Sequence, residues 1–418
     1  MKSLIFIFIF LFSYFWGLTQ SPYFPYYGNL HSHTSISDGV GSPEDAFNLA
    51  RDSAHLDFLA VTDHLEQIYL DLLGWYETNN AADDATVNNV FVGFAGYEWG
   101  SPQYGHCNVL NAENMGDPTT YTDLSGFYQD VLDDSPAFGF FNHPAEEVYF
   151  SNWDNFSYAG AAVDAAFPLI EMQEIYQEQW YYTALNNGWH VSPVMNQDNH
   201  SADWGTKNDN RAGIWATDLS RQSLIDAMMA GRTFASWDKN AEMWIDIGGQ
   251  AMGQTLQRYA DMPLHIFIND TEQWLSVDII DSTGIINTFV PSGNTVDTII
   301  NITPSVSDWV IVRACQADSQ LIWSAPIYFN GIITQTTNYY SGFTSYVYPN
   351  PSNGPFTIEA PSNISKIEIA DLNGNIIFTR LFKNGKATVI NIEGTASGVY
   401  FIKIYSKDFV KARKLVIY

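Results

Sequence analysis

Five times between residues 23 and 200, a short apolar segment runs into a knot of histidine and carboxylate side chains. The stretch from Tyr23 leads to Asn29-Leu30-His31-Ser32-His33, and Phe58–Val61 leads to Thr62-Asp63-His64. Val90–Ala95 leads to Gly96-Tyr97-Glu98-Trp99, Phe138–Phe141 to Asn142-His143-Pro144, and His190–Met195 to Gln197-Asp198-Asn199-His200. Short apolar runs bounded by turn residues read as buried strands. Helical patterns lie between them. Pro43–Ala54 opens with Ser42 as N-cap, Pro43 at the first position and Glu44 and Asp45 in the first turn. Tyr176–Asn187 closes on Gly188, and a last helix near Gln222–Ala230 closes on Gly231. Alternating strands and helices predict an α/β fold, here a β/α barrel over 22–240. Carboxyl ends of strands are where such sheets build their sites.

Imidazole nitrogen and carboxylate oxygen are ligands for zinc, manganese and iron. Alternate residues on an extended strand exit point to one side. His31 with His33, and Asp198 with His200, therefore can share an ion. Glu98 has two oxygens and can bridge two ions. Six of the nine histidines sit in polar motifs: His31, His33, His64, His106, His143 and His200. His55, His190 and His265 read as structural. Six histidines with three carboxylates exceed the needs of one ion, so two or three divalent ions (Zn, Mn or Fe) are expected. Glu98 and His106 are expected on one exit loop, Gly96–Asn108, with Cys107 turned into the wall.

These motifs are similar to those of the polymerase and histidinol phosphatase (PHP) family. The likeness is carried by His31-Ser32-His33-Thr34 with Ser37-Asp38-Gly39, Thr62-Asp63-His64, Glu98, His106, His143-Pro144 and Asp198-Asn199-His200. Gly231-Arg232-Thr233-Phe234-Ala235-Ser236, followed by a β-rich region, resembles the carbaryl-hydrolase-like subgroup. The resemblance implies a distorted seven-stranded β/α barrel and, in most members, three metals. It implies that His31, His33, Glu98 and Asp198 hold the first. Glu98 would bridge to a second with His106 and His143, and Asp38, His64 and His200 would hold the third. Asp38 stands where some members have histidine.

Metals in such a site lower the pKa of bound water to about 7 and supply hydroxide to attack phosphorus or a carbonyl carbon. The expected function is a secreted metal-dependent hydrolase of small phosphate mono- or diesters. A carboxylic or carbamate ester hydrolase is the alternative, as is a non-catalytic surface protein with structural metals. Glu98 and Asp198 join the catalytic set as ligands. Asp63 is a candidate for orienting His64 or moving a proton, or equally a structural acid behind it. Arg211 and Lys207 are candidates to meet a substrate anion or to form surface salt bridges. Tyr104, Trp99 and Trp204 are candidates to line the pocket or to pack.

Charge narrows the partners. Eighteen Lys and Arg face 46 Asp and Glu, a net charge of −28. Nucleic-acid backbones and anionic membrane surfaces need a basic face, so neither is expected as a partner. Two cysteines, Cys107 and Cys315, make no disulfide framework; one bridge or two free thiols remain. Lys2, the apolar run Leu4–Phe12 and a polar exit read as a signal peptide over 1–20, too short and interrupted for a membrane anchor.

The chain changes sign at its end. Nine of the 18 basic residues lie in the last 53 positions, against four acids. A Thr/Asn/Ser/Gly-rich connector precedes this stretch, over 331–345. The tail reads as short strands, with Asn373-Gly374 as a hairpin signal. It resembles the type IX secretion, type A sorting domain over 346–418. The likeness rests on Tyr348-Pro349-Asn350-Pro351-Ser352-Asn353-Gly354, Asp371-Leu372-Asn373-Gly374, Gly398-Val399-Tyr400-Phe401-Ile402 and Lys414-Leu415-Val416-Ile417. That resemblance implies type IX secretion machinery as partner, export to the exterior or cell surface, and removal of the tail. Between the two modules, 241–330 alternates in the manner of a β-sandwich, a packing partner for the first domain.

Overall fold

The computed structural model describes residues 23–70, 72–304, 307–334, 346–350, 352–360, 363–371, 376–382, 385–392, 394–406 and 410–418. The expected signal stretch, the connector beyond Thr334 and the Asn373-Gly374 turn lie outside the described residues.

Ser42 caps the first helix as its sequence dictates. Its hydroxyl accepts from the Asp45 N–H, and the Asp45 carboxylate accepts in return from the Ser42 N–H, a reciprocal cap on Pro43–Asp52. The helix buries Ala46, Phe47 and Ala50 against Phe91 and Trp204. Leu49 is only partly covered.

Nine strands surround the first core: β1 (Phe24–Asn29), β2 (Phe58–Val61), β3 (Val92–Ser101), β4 (Gly105–Leu110), β5 (Phe138–Phe141), β6 (Leu169–Met172), β7 (Ser192–Met195), β8 (Arg211–Ala216) and β9 (Thr233–Ser236). Their order is β9-β8-β1-β2-β3-β4-β5-β6-β7. β1–β2, β2–β3, β5–β6 and β6–β7 are parallel. β8 runs antiparallel to β1, and β3, β4 and β5 run antiparallel in succession. The resulting sheet is mixed rather than a uniform βα repeat. It curls until its carboxyl-end rim meets itself. Ser32 bridges to Asn199 in parallel, and the His33 N–H donates to the Asn199 carbonyl at 2.8 Å. Lower down, Thr233 Oγ1 of β9 donates to the Pro193 carbonyl of β7 at 2.9 Å. Inside lie Leu30, Phe58, Ala60, Phe94, Phe140 and Val194, all buried. Each of the Leu, Phe and Val side chains contributes roughly 1.5–3 kcal/mol by leaving water.

Glu98 and His106 depart from the expected common loop. The chain forms a β3–β4 hairpin, with Glu98 opposite Asn108 and Gly100 opposite His106. Strand pairing continues past the apolar run because the polar side chains face one side and Tyr97, Trp99, Cys107 and Val109 pack on the other.

The main sheet does not stop at β9. Phe234–Ser236 pairs with Leu321–Ser324, which leads on to Trp309–Gln316 and Ile327–Thr334. A four-stranded sheet of Gln250–Ala251, Glu242–Ile247, Met262–Asn269 and Thr295–Ile302 packs over this extension. Its strands alternate, with Met243, Ile245, Leu264, Ile266 and Ile268 inward. The strand Ile327–Thr334 takes in the first residues of the expected connector. In the tail, a three-stranded and a four-stranded sheet enclose a small core of Phe356, Ile358, Ile367, Ile369, Ile402 and Leu415.

Candidate metal centre

The knots bearing His31 and His33, His64 and His143, together with His106, converge on one carboxylate. Glu98 is buried, and its oxygens lie 3.0–3.4 Å from ring nitrogens of His31, His33, His64, His106 and His143. Strand order explains the meeting. β1, β2 and β3 are neighbours, and a parallel bridge between His64 and Glu98 extends the β2–β3 pairing to the rim. His106 arrives on β4 and His143 just past β5. Asn142 orients the centre: its side-chain amide donates to Glu98 Oε1 at 2.7 Å and to Asn108 Oδ1 at 2.9 Å.

Asp198 joins from the β7 exit, in a left-handed conformation with φ 46°. Its Oδ1 stands 3.1 Å from His33 Nε2 and 3.3 Å from His31 Nε2. His200 stacks on His33 at 4.1 Å between ring centres and reaches Asp38 Oδ1 at 3.2 Å. His64 is 3.6 Å from the same Asp38 oxygen. Four overlapping groups have ligand atoms within 4.8 Å of one another: His31, His33 and Asp198; His31, Glu98 and His143; His106, His143 and Glu146; His33, Asp38, His64 and His200.

The donor set fits divalent cations. Buried Asp198 Oδ1 and His33 Nδ1 have no hydrogen-bond partner, although Asp198 Oδ1 is within 3.3 Å of two ring nitrogens. His31 Nε2 and His33 Nε2 face each other at 3.1 Å. Lone pairs gathered this closely need protons or cations between them. Burial alone would lift the Glu98 carboxyl. The charge of His31 and hydrogen bonds from His106, His143 and His31 outweigh it, holding Glu98 well below the usual carboxylate range. Burial works against charge on His31, but Glu171, Asp198 and Glu98 raise it well above an ordinary imidazole. Burial pushes His33 down.

Other expected residues are placed elsewhere. Both Asp63 oxygens are committed to the turn after His33. They accept from Thr34 N–H and Ser37 Oγ at Oδ1, 2.8 and 2.5 Å, and from Thr34 Oγ1 at Oδ2, 2.7 Å. Asp63 thus holds the loop that carries Asp38, rather than orienting His64. Arg211 is buried, and its guanidinium donates to the carbonyls of Gly205, Asn208 and Asn210, which turns it away from any substrate role. Lys207 pins the β7 exit from behind, with Nζ 2.8 Å from the Gln197 carbonyl. Tyr104 lines a separate cavity of about 610 Å³ with Tyr128, Trp153 and Tyr158. Trp99 stacks on Phe127 at 4.1 Å in the outer core, and Trp204 is buried behind the 34–41 loop. Cys107 accepts from the Trp153 indole N–H at 3.0 Å, and burial raises its thiol.

Two residues went unread in the sequence. Glu146 Oε2 lies 2.8 Å from His143 Nδ1, and Glu171 Oε2 lies 2.8 Å from His31 Nδ1. Glu171 carried a signal, as a lone acid within the apolar strand Leu169–Met172.

Comparison with known proteins bears first on the tail. Residues 346–418 match the secretion system C-terminal sorting domain. That match implies the type IX secretion machinery as a partner and export to the cell surface or exterior. Among the described residues, no helix is long and apolar enough to cross a membrane. No curated protein matches the chain. Among solved structures, the chain is similar to a Bacteroides vulgatus two-domain protein containing a predicted PHP-like metal-dependent phosphoesterase. Identity is 15%, coverage 73% of this chain and 96% of that one, and the TM-score 0.44. Fibronectin(III)-like modules of Clostridium thermocellum CbhA align at 13% identity over 42% of this chain and 93% of theirs, with a TM-score of 0.18.

Proposed function

We propose that the chain is an exported metal-dependent hydrolase acting on phosphate esters. The observation that carries this reading is Glu98, one buried carboxylate ringed by five imidazoles within 3.4 Å. His31, His33, Glu98 and Asp198 would hold one ion, Glu98, His106 and His143 a second, and Asp38, His64 and His200 a third. Divalent ions on such ligands supply Lewis acidity and lower the pKa of bound water to about 7. The chain's own residues fix the ligands. Asn142 orients Glu98, Asp63 holds the loop bearing Asp38, and Lys207 anchors the strand exit bearing Asp198. We assign 22–240 to the hydrolase, 241–330 to its β-sandwich partner and 346–418 to the sorting signal, which is removed on export.

The test is elemental mass spectrometry of the purified chain with assays on generic phosphomonoester, phosphodiester and carboxylic ester substrates. Two or three divalent ions per chain with chelator-sensitive phosphoester turnover supports the reading. Turnover of carboxylic esters alone moves it to the alternative hydrolase, and a chain that binds no metal after supplementation refutes it.

A further inference from the structure

We propose that Glu171 is a positioning residue that fixes which nitrogen of His31 faces the metal ligands, a role that rests on the metal-centre reading above. Glu171 sits within β6 between Ile170 and Met172 and is fully buried, as is His31. Burying a carboxylate in an apolar strand is costly unless its oxygens are satisfied, and both are. Oε2 lies 2.8 Å from His31 Nδ1, and Oε1 accepts from Gln173 Nε2 at 2.8 Å. Gln173 is itself anchored, because the Gln177 side-chain oxygen accepts its backbone N–H at 2.6 Å and that of Glu174 at 3.1 Å. The carboxylate is thereby held away from the ligand cluster.

Glu171 accepts from Gln173 at one oxygen and faces His31 Nδ1 with the other, which places the ring hydrogen on Nδ1. With the hydrogen on Nδ1, the nitrogen left to face the cluster is Nε2. That atom lies 3.3 Å from Glu98 Oε1, 3.3 Å from Asp198 Oδ1 and 3.1 Å from His33 Nε2. A cation held by His31 would then meet Nε2, with Glu171 behind the ring as the carboxylate that orients it. Without the acceptor, His31 is free to place its hydrogen on Nε2, where it blocks a cation.

The full chain, Glu171→Gln and Glu171→Leu are compared by Zn²⁺ titration against a competing chelator and by proton spectra of ¹⁵N-histidine-labelled protein. The signal of His31 is identified by its loss in His31→Asn. Gln keeps an acceptor oxygen but drops the charge; Leu removes the acceptor. The expected result is a downfield, exchange-protected His31 Nδ1–H signal in the parent, shifted upfield in Glu171→Gln and lost in Glu171→Leu. Zn²⁺ affinity falls roughly 10–100-fold, with the Gln variant at the lower end. Unchanged affinity and an unchanged Nδ1–H signal in a folded variant overturn the proposal, and Glu171→Gln decides alone if the Leu variant does not fold. A parent chain that binds no Zn²⁺ defeats the metal-centre reading, while the Nδ1–H comparison still judges the Glu171–His31 relation.

Discussion

The indole N–H of Trp204 donates to the carbonyl oxygen of His33 at 3.0 Å. The bond ties the loop after β7 to the turn between His33 and Gly41, so two ligand-bearing segments share one buried anchor. Gly41 closes that turn with φ +89°, and a Cβ there would stand 2.8 Å from the Trp204 ring. Gly41→Ala is therefore expected to cost about 1–3 kcal/mol through backbone strain, and more if the ring cannot yield. Denaturant unfolding gives the cost directly, and Zn²⁺ affinity should fall with it. A variant as stable as the parent would show that the turn is not tied as described.

Glu98→Gln keeps the shape of the central side chain and removes its charge. The loss in metal affinity should exceed the roughly 100-fold that changes outside the ligand set reach. Calorimetric titration with Zn²⁺ or Mn²⁺ checks it. Parent-like binding would mean that Glu98 is not a ligand.

His265 offers a pH test far from the centre. Its hydrogen bond to Asp246, helped by one to Asp297, raises the imidazole to about 8 against partial burial. A raised folded pKa stabilises fully below the unfolded value of about 6.5 and is lost as pH rises through about 8. Between those values the parent should lose up to about 1 kcal/mol, given solvent screening of this half-buried group. His265→Gln should lack that slope. Identical pH profiles in parent and variant would remove His265 from the account.

Asn152–Phe156 forms a turn of left-handed helix, with φ from 48° to 55° at five consecutive non-glycine residues. Such backbone costs roughly 1–2 kcal/mol per residue, least for Asn. Asn155 is exposed, so Asn155→Val, which puts a β-branched side chain at φ 55°, should destabilise the chain by about 1–2 kcal/mol in denaturant unfolding. A variant as stable as the parent would contradict the left-handed geometry.

The sequence made the ligands legible because each lies at a strand exit, where a buried apolar run ends abruptly in polar residues. Capping at Ser42 was equally local and equally readable. The β3–β4 hairpin was not, since Glu98-Trp99-Gly100-Ser101 has the composition of a loop and only the alternating burial of its neighbours makes it a strand. The roles of Asp63 and Arg211 stayed open in the sequence for a related reason. A charged residue beside a motif looks functional until its hydrogen bonds are traced to backbone and hydroxyl groups. Glu171 and Glu146 were missed because their partners lie far along the chain or on a turn whose shape the sequence does not declare.

The pairing of Phe234–Ser236 with Leu321–Ser324 has a practical corollary. A chain cut after residue 240 would bare a hydrogen-bonding edge next to the metal-binding region, an open template for other chains to add to. Expression of these two regions thus calls for a boundary beyond Thr334, and calorimetry on that fragment should record a single cooperative transition, because they share one ladder.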